Sequence, residues 1–235
     1  MIIDGFERLT LLDYPGHIAC MIFTRGCNFR CPYCQNSSLI RYKKEPGNYT
    51  EEEILEFLKM RKGKLEGIVI SGGEPTIQKG LIDFIKKVKE IGFKVKLDTN
   101  GSNPKILKEL IKNKLVDYVA MDIKNDFTNY GEITGIANLP VDRLKESIKI
   151  LEEGKVEYEF RTTVIKDFHT IERLKNIVGF IKKESNYFLQ QFIISENVPN
   201  KKLTYYTEEE LINIGEELKT IHPNLKIRGL KNSKD

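Results

Sequence analysis

Ile18-Ala-Cys-Met-Ile-Phe23 runs without a break into Thr24-Arg-Gly-Cys27-Asn-Phe-Arg-Cys31-Pro-Tyr-Cys34-Gln-Asn36. A short apolar run followed by three thiols at the spacing C-x3-C-x2-C reads as a buried strand that delivers a ligand loop. Sulfur ligands select soft metals, chiefly zinc or iron–sulfur clusters. A [4Fe–4S] cube has four irons and this loop offers three clustered thiols, so one iron stays open to something that is not protein. Zinc is the competing occupant. A structural zinc site takes four ligands, usually from two C-x2-C-like pairs. The fourth cysteine here, Cys20, lies inside the apolar run, where a thiol reads as a small core residue. His169 and His222 stand far off in sequence, and His17 opens the strand.

Outward from this loop, apolar runs alternate with helical patterns. Strands are predicted at 18–23, 67–71, 94–98, 118–123, 157–164 and 187–194, and helices at 51–61, 77–91, 105–112, 141–153, 170–184 and 208–221. Thr50-Glu-Glu-Glu53 and Thr207-Glu-Glu-Glu210 have the form of capping boxes, and Asn103-Pro104 sets a cap before a first-turn proline. Strands alternating with helices indicate βαβ units on a parallel sheet. The expected fold is α/β, a partial (β/α)6 barrel, followed by a C-terminal helix and a short strand at Leu225-Lys-Ile-Arg228. In such sheets the chemistry collects at the carboxyl ends of the strands. Residues 41–48 and 127–139 are loop-like but too short for linkers. Residues 1–235 are therefore expected to form one domain, with its core over about 15–195 and a frayed tail at 231–235.

Composition narrows the function classes. Hydrophobic residues at 40% and charged ones at 31% are ordinary for a soluble globular protein. The 38 Lys+Arg are scattered against 34 Asp+Glu, which argues against nucleic acid, where a clustered basic face is expected. No apolar run approaches a membrane span, and the first residues lack the plan of a signal peptide. Cysteines gathered into one loop are a ligand arrangement, not a disulfide framework. Reduced thiols and an oxygen-sensitive cluster point to the cytoplasm.

The strand ends carry the remaining signals. Gly67-Ile-Val-Ile-Ser-Gly-Gly-Glu-Pro75 is an apolar strand closing in a turn. Gly72 and Gly73 remove Cβ atoms where backbone must approach a ligand, Pro75 stiffens the exit, and Glu74 adds charge or braces the turn. An ordinary tight turn is the alternative. Lys94-Val-Lys-Leu-Asp-Thr-Asn-Gly101 places Asp98 at a strand end, where capping the turn is the commonest duty of a carboxylate. Asp117-Tyr-Val-Ala-Met-Asp-Ile-Lys124 ends in a second carboxylate, Asp122, and a lysine. Alternation in Glu157-Tyr-Glu-Phe-Arg-Thr-Thr-Val164 sends Glu157, Glu159, Arg161 and Thr163 to one face, either a barrel lumen or a solvated surface. Tyr33, Asn36 and Phe29 either pack the cysteine loop or meet its ligand.

The cysteine spacing resembles the signature of the radical S-adenosylmethionine (SAM) superfamily. The Gly72-Gly73-Glu74-Pro75 turn about 40 residues later is similar to the motif that engages the SAM amino group in that superfamily. Thr10-Leu-Leu-Asp-Tyr-Pro-Gly16 resembles the entry segment of activating enzymes for glycyl radical proteins. More narrowly it is similar to the activators of anaerobic ribonucleoside-triphosphate reductases. The likeness spans roughly residues 1–195.

The resemblance implies a [4Fe–4S] cluster on Cys27, Cys31 and Cys34, with SAM chelating the open iron. It places Tyr33 by the adenine, Asn36 near the nucleoside, and Gly72, Gly73 and Glu74 at the methionine end. Asp98, Thr99 and Asp122 match a monovalent cation and SAM site, Lys124 a contact to the SAM carboxylate, and Arg161 a further SAM contact. The implied reaction draws an electron from a flavodoxin- or ferredoxin-like donor and splits SAM into methionine and a 5′-deoxyadenosyl radical. That radical takes hydrogen from a glycine of a partner glycyl radical enzyme, and no general base is required. Some activating enzymes place a histidine on the sixth strand, where this chain offers Gln190 and Gln191. No second cysteine cluster is present, as in the compact activators that lack a ferredoxin-like insert. Three other readings compete. They are a radical SAM enzyme acting on a small molecule or modified base, a non-catalytic iron–sulfur electron carrier, and a zinc-stabilised binding module.

Overall fold

The computed structural model describes residues 1–41 and 45–230. Part of the 41–48 loop and the 231–235 tail lie outside the described residues. Strands β1 (Ile3–Thr10), β2 (Ala19–Thr24), β3 (Gly67–Gly72), β4 (Lys94–Thr99), β5 (Tyr118–Asp122), β6 (Glu157–Val164), β7 (Tyr187–Gln191) and β8 (Leu225–Arg228) form one sheet in chain order. From β2 to β8 every pair is parallel, while β1 runs antiparallel to β2. The six predicted core strands are β2 to β7, and the short C-terminal strand extends the same parallel sheet. The sheet is unclosed, with β1 and β8 at its edges, as a partial barrel requires.

Helices α1 (Glu51–Met60), α2 (Leu81–Ile91), α3 (Pro104–Lys112), α4 (Tyr130–Thr134), α5 (Val141–Glu152), α6 (Ile171–Phe180) and α7 (Glu208–Lys219) occupy the crossovers. Both capping boxes form, at Thr50 with Glu53 and at Thr207 with Glu210. Asn103 makes no side-chain cap; its amide donates to the Thr76 carbonyl at 2.9 Å. Predicted boundaries move by three residues or more at three places. Helix α2 begins at Leu81, not at 77, because Pro75–Ile77 closes as a 3-10 turn and Gly80 takes a left-handed φ of 85°. Helix α6 ends at Phe180 because the next residue, Ile181, is extended and buried. Strand β7 stops at Gln191, short of the predicted 194.

Parallel strands covered on both faces read as continuous apolar runs, and Ile68, Val69 and Ile70 of β3 are fully buried. One core lies between sheet and helices and takes in Ile22, Cys20, Ile54, Leu58, Phe84 and Leu97. Burial there pushes the Cys20 thiol up to about 12, as suits an inert core residue. A second, smaller core fills the amino end of the barrel with Tyr14, Ala19, Met21, Val69, Tyr118 and Ala120. Tyr14 comes from the Thr10–Gly16 segment and packs edge-on to His17 at 4.8 Å between centroids. By the two-residue period of a strand, this second core shares its sheet face with Asp98 and Asp122. The barrel interior is therefore apolar at the amino end and charged at the carboxyl end.

Candidate active site

The carboxyl ends of β2 to β7 converge on a cavity of about 230 Å³. Every site residue named from the sequence lines it. Cys27, Cys31, Tyr33, Cys34 and Asn36 come from the loop after β2, and Gly72, Gly73 and Glu74 from the end of β3 and its turn. Asp98 and Thr99 come from β4, Asp122 and Lys124 from the end of β5, and Arg161 from β6. Gln190 reaches the cavity as well, whereas the Gln191 amide is spent on the Tyr206 carbonyl at 2.7 Å. Asn100 and Thr163 also line it. Sequence reasoning put Thr163 on the Arg161 face without making it a site residue and passed over Asn100, which adjoins Thr99.

The cysteine loop is held by backbone from several directions. Gly26 N donates to Leu39 O at 2.7 Å, Arg30 N to Thr134 O at 2.8 Å, and Asn200 N to Pro32 O at 3.0 Å. Phe29, buried, donates its N–H to the Cys27 sulfur at 3.3 Å. Burial pushes the Cys27 thiol up to about 12 and raises Cys31 and Cys34 too. Thiols in that state keep their protons until a metal displaces them. Among the described residues, no group of three His, Cys, Asp or Glu side chains converges to hold a single ion. Three thiols on one cavity wall, one of them accepting a backbone N–H, suit a cluster that offers each a separate iron. Cys31→Ala is expected to cut iron retained after anaerobic reconstitution at least ~10-fold, while Cys20→Ala leaves it unchanged. Wild-type iron in the Cys31 variant would remove that residue from the ligand set.

The glycines of the β3 turn line the cavity and also abut the cysteine loop. A Cβ on Gly72, whose φ is 119°, would stand 2.2 Å from Thr24 N, and one on Gly73 would stand 2.1 Å from Gly26 O. The backbone they admit is the cysteine loop itself. Gly73 N donates to Thr24 O and Glu74 N to Gly26 O, each at 2.8 Å. Glu74 is fully buried and braces two turns. Its Oε1 accepts from Thr76 N at 3.1 Å, the Thr76 hydroxyl at 2.5 Å and the Thr99 hydroxyl at 2.7 Å, and its Oε2 accepts from Asn100 N at 2.7 Å. Burial pushes its carboxyl up and outweighs these donors.

Across the cavity runs a chain of alternating charges. Lys96 Nζ lies 2.5 Å from Asp98 Oδ1, and Asp98 Oδ2 is 3.6 Å from Arg161 Nη1. Arg161 Nε donates to Asp122 Oδ1 at 2.9 Å, and Asp122 Oδ2 accepts from Lys124 Nζ at 3.3 Å. The face of β6 carrying Glu159 and Arg161 is thus the lumen, not a solvated surface. Asp98 pairs with cations and caps no turn. Burial alone would raise the Asp98 and Asp122 carboxyls, but Arg161, with Lys96 and Lys124, holds both below the usual range. Burial works against the Lys124 ammonium, yet Tyr33, Asp122 and Cys31 raise it well above its ordinary value. Its Nζ stands 5.7 Å from the centroid of the Tyr33 ring.

A family profile described as the radical SAM superfamily matches residues 21–181. A Methanocaldococcus jannaschii protein, named as a candidate glycyl-radical enzyme activating enzyme, is 36% identical over 236 residues, covering 97% of this chain and 95% of its own. The pyruvate formate-lyase-activating enzyme of Clostridium pasteurianum is 28% identical over 237 residues, covering 89% of this chain and 98% of its own. The crystal structure of Streptococcus suis SuiB bound to its precursor peptide SuiA shares the fold, with a TM-score of 0.70 at 19% identity over 90% of this chain. This chain spans 48% of that one. The chain belongs to the radical SAM superfamily, in its family of glycyl-radical-enzyme activating enzymes.

Proposed function

We propose that this chain cleaves SAM reductively and generates a glycyl radical on a partner enzyme, an anaerobic ribonucleoside-triphosphate reductase. The observation that carries the reading is the meeting of three thiols with the Asp98–Arg161–Asp122–Lys124 ion chain in one cavity. The relatives that match nearly end to end, both named for activating enzymes, support a protein substrate. A flavodoxin- or ferredoxin-like electron donor and a cytoplasmic setting belong to the same reading.

Cys27, Cys31 and Cys34 would hold the cluster, which with SAM bound supplies one-electron cleavage of the sulfonium C–S bond and a carbon radical. The protein's own groups bind, orient and exclude water. Lys124 and Arg161 give the cavity fixed positive charge toward a carboxylate, and the Gly72–Glu74 turn seats the methionine end beside the cysteine loop. Phe29 and Tyr33, both buried, keep water off the sulfurs. Hydrogen-atom transfer moves no proton to a side chain, so none of these groups acts as a base.

Anaerobically reconstituted, chemically reduced protein is expected to convert SAM to 5′-deoxyadenosine. Mixed with a reductase carrying a glycyl radical motif, it is expected to yield a glycyl radical by electron paramagnetic resonance. Lack of 5′-deoxyadenosine sinks the enzymatic reading. Its formation with no radical on any glycyl partner transfers the reading to a small-molecule substrate.

A further inference from the structure

The resemblance to activating enzymes carries a monovalent cation held by Asp98, Thr99 and Asp122. In this chain those oxygens already have protein partners. Asp98 Oδ1 faces Lys96 and Oδ2 faces Arg161; Asp122 Oδ1 faces Arg161 and Oδ2 faces Lys124. The Thr99 hydroxyl is turned away to Glu74 at 2.7 Å. Two carboxylates thus meet three positive charges, and a metal ion added among them would meet repulsion, most of all at the buried Asp98.

Lys96 is the unusual member. It is 2% exposed, and lysine is almost never buried without a charged partner. Its ammonium is a compact point charge with three donors, the nearest side-chain equivalent of an alkali ion. It is also caged. Its Nζ lies 5.9 Å from the centroid of the Tyr118 ring, and the Tyr118 hydroxyl donates to Glu159 at 2.8 Å. Arg228 grips both Glu159 oxygens, at 2.7 and 2.9 Å. That layer and the apolar second core around Tyr118 lie beside the Lys96–Asp98 pair, which is buried at both ends.

We propose that the Lys96 ammonium is a built-in counter-ion standing in for the monovalent metal ion, so that this chain binds SAM without an alkali cation. Lys96 does not line the cavity; it acts through Asp98 as a positioning residue. The inference rests on the proposed SAM chemistry and specifies how its carboxylate end is organised.

The test measures SAM affinity of the reconstituted protein by equilibrium binding, in potassium or sodium chloride against tetramethylammonium chloride at equal ionic strength. Wild-type affinity is expected to change less than ~2-fold between the salts. Lys96→Ala, which removes the charge and opens room, is expected to lose at least ~10-fold in affinity in tetramethylammonium and to recover in potassium or sodium. Lys96→Arg, which keeps the charge, is expected to stay independent of alkali ions. A merely structural lysine would give a loss that no salt restores, and that result overturns the proposal. So does a wild-type protein that needs an alkali ion to bind SAM, a measurement that stands even if Lys96→Ala fails to fold. Wild-type protein that binds SAM in neither salt overturns the proposed function and this inference with it.

Discussion

Gly73→Ala is expected to fold and yet to assemble almost no cluster. The added Cβ would stand 2.1 Å from Gly26 O and 2.6 Å from Gly26 C, both backbone atoms. A side chain could rotate away; a carbonyl tied into a loop cannot. Gly26 is held by its N–H to Leu39 O, and its own oxygen accepts from Glu74 N. Relief must therefore shift the loop that carries Cys27, and metal ligands tolerate errors of only ~0.2 Å. The expected loss in retained iron is at least ~10-fold, against an overpacking cost of ~1–3 kcal/mol in the cluster-free protein. Gly73 has no positive φ, so the effect isolates the close approach from backbone strain. Iron retention equal to wild type would show that the turn does not set the loop.

Arg161→Met is expected to destabilise the cluster-free fold strongly. The arginine faces both Asp98 and Asp122, and its removal leaves buried carboxylates short of a partner. Breaking a buried pair in this way costs ~3–5 kcal/mol. Most of this falls on Asp98, since Asp122 is one-third exposed and partly screened. The sign with pH follows from the directions. In the wild type both carboxyls titrate below their ordinary ~3.8, so their contribution is present above that pH and lost as pH falls through the folded values. Without Arg161 the largest charge opposing burial is gone, leaving Lys96, and the Asp98 value rises. The gap between variant and wild type in urea unfolding should then be small near pH 4 and widen toward pH 7. A gap constant over that range would show that lost packing, not lost charge, explains the effect.

Much of this architecture was legible because parallel strands advertise themselves. Residues 67–71 and 118–123 are apolar runs punctuated by glycine or charge, and both became strands close to the expected limits. Strand β1 was not legible. Ile-Asp-Gly-Phe-Glu-Arg-Leu-Thr carries Asp4, Glu7 and Arg8, and its pairing slips at Ile3/Gly5 and Glu7/Thr10. Charge and irregular register are how an edge strand avoids further pairing, and they also erase its periodicity. In the site, spacing identified which residues gather but not whom they face. Cys27, Cys31 and Cys34 declare a shared task by proximity alone. Nothing in Gly72-Gly73 says that the approaching backbone is Thr24 and Gly26, which are distant in sequence. Lys96 escaped notice because a lysine two residues before an aspartate is common on solvated strands, and only the closed lumen makes the pair exceptional.

The small second core has a consequence for anything reactive held above it. Tyr14, Met21, Val69 and Tyr118 make an apolar floor at the amino end of the barrel. A short-lived species formed beside the cysteines cannot leak downward into water. It is left to the walls, the rim or the open side between β1 and β8, and whatever occupies those openings decides its fate.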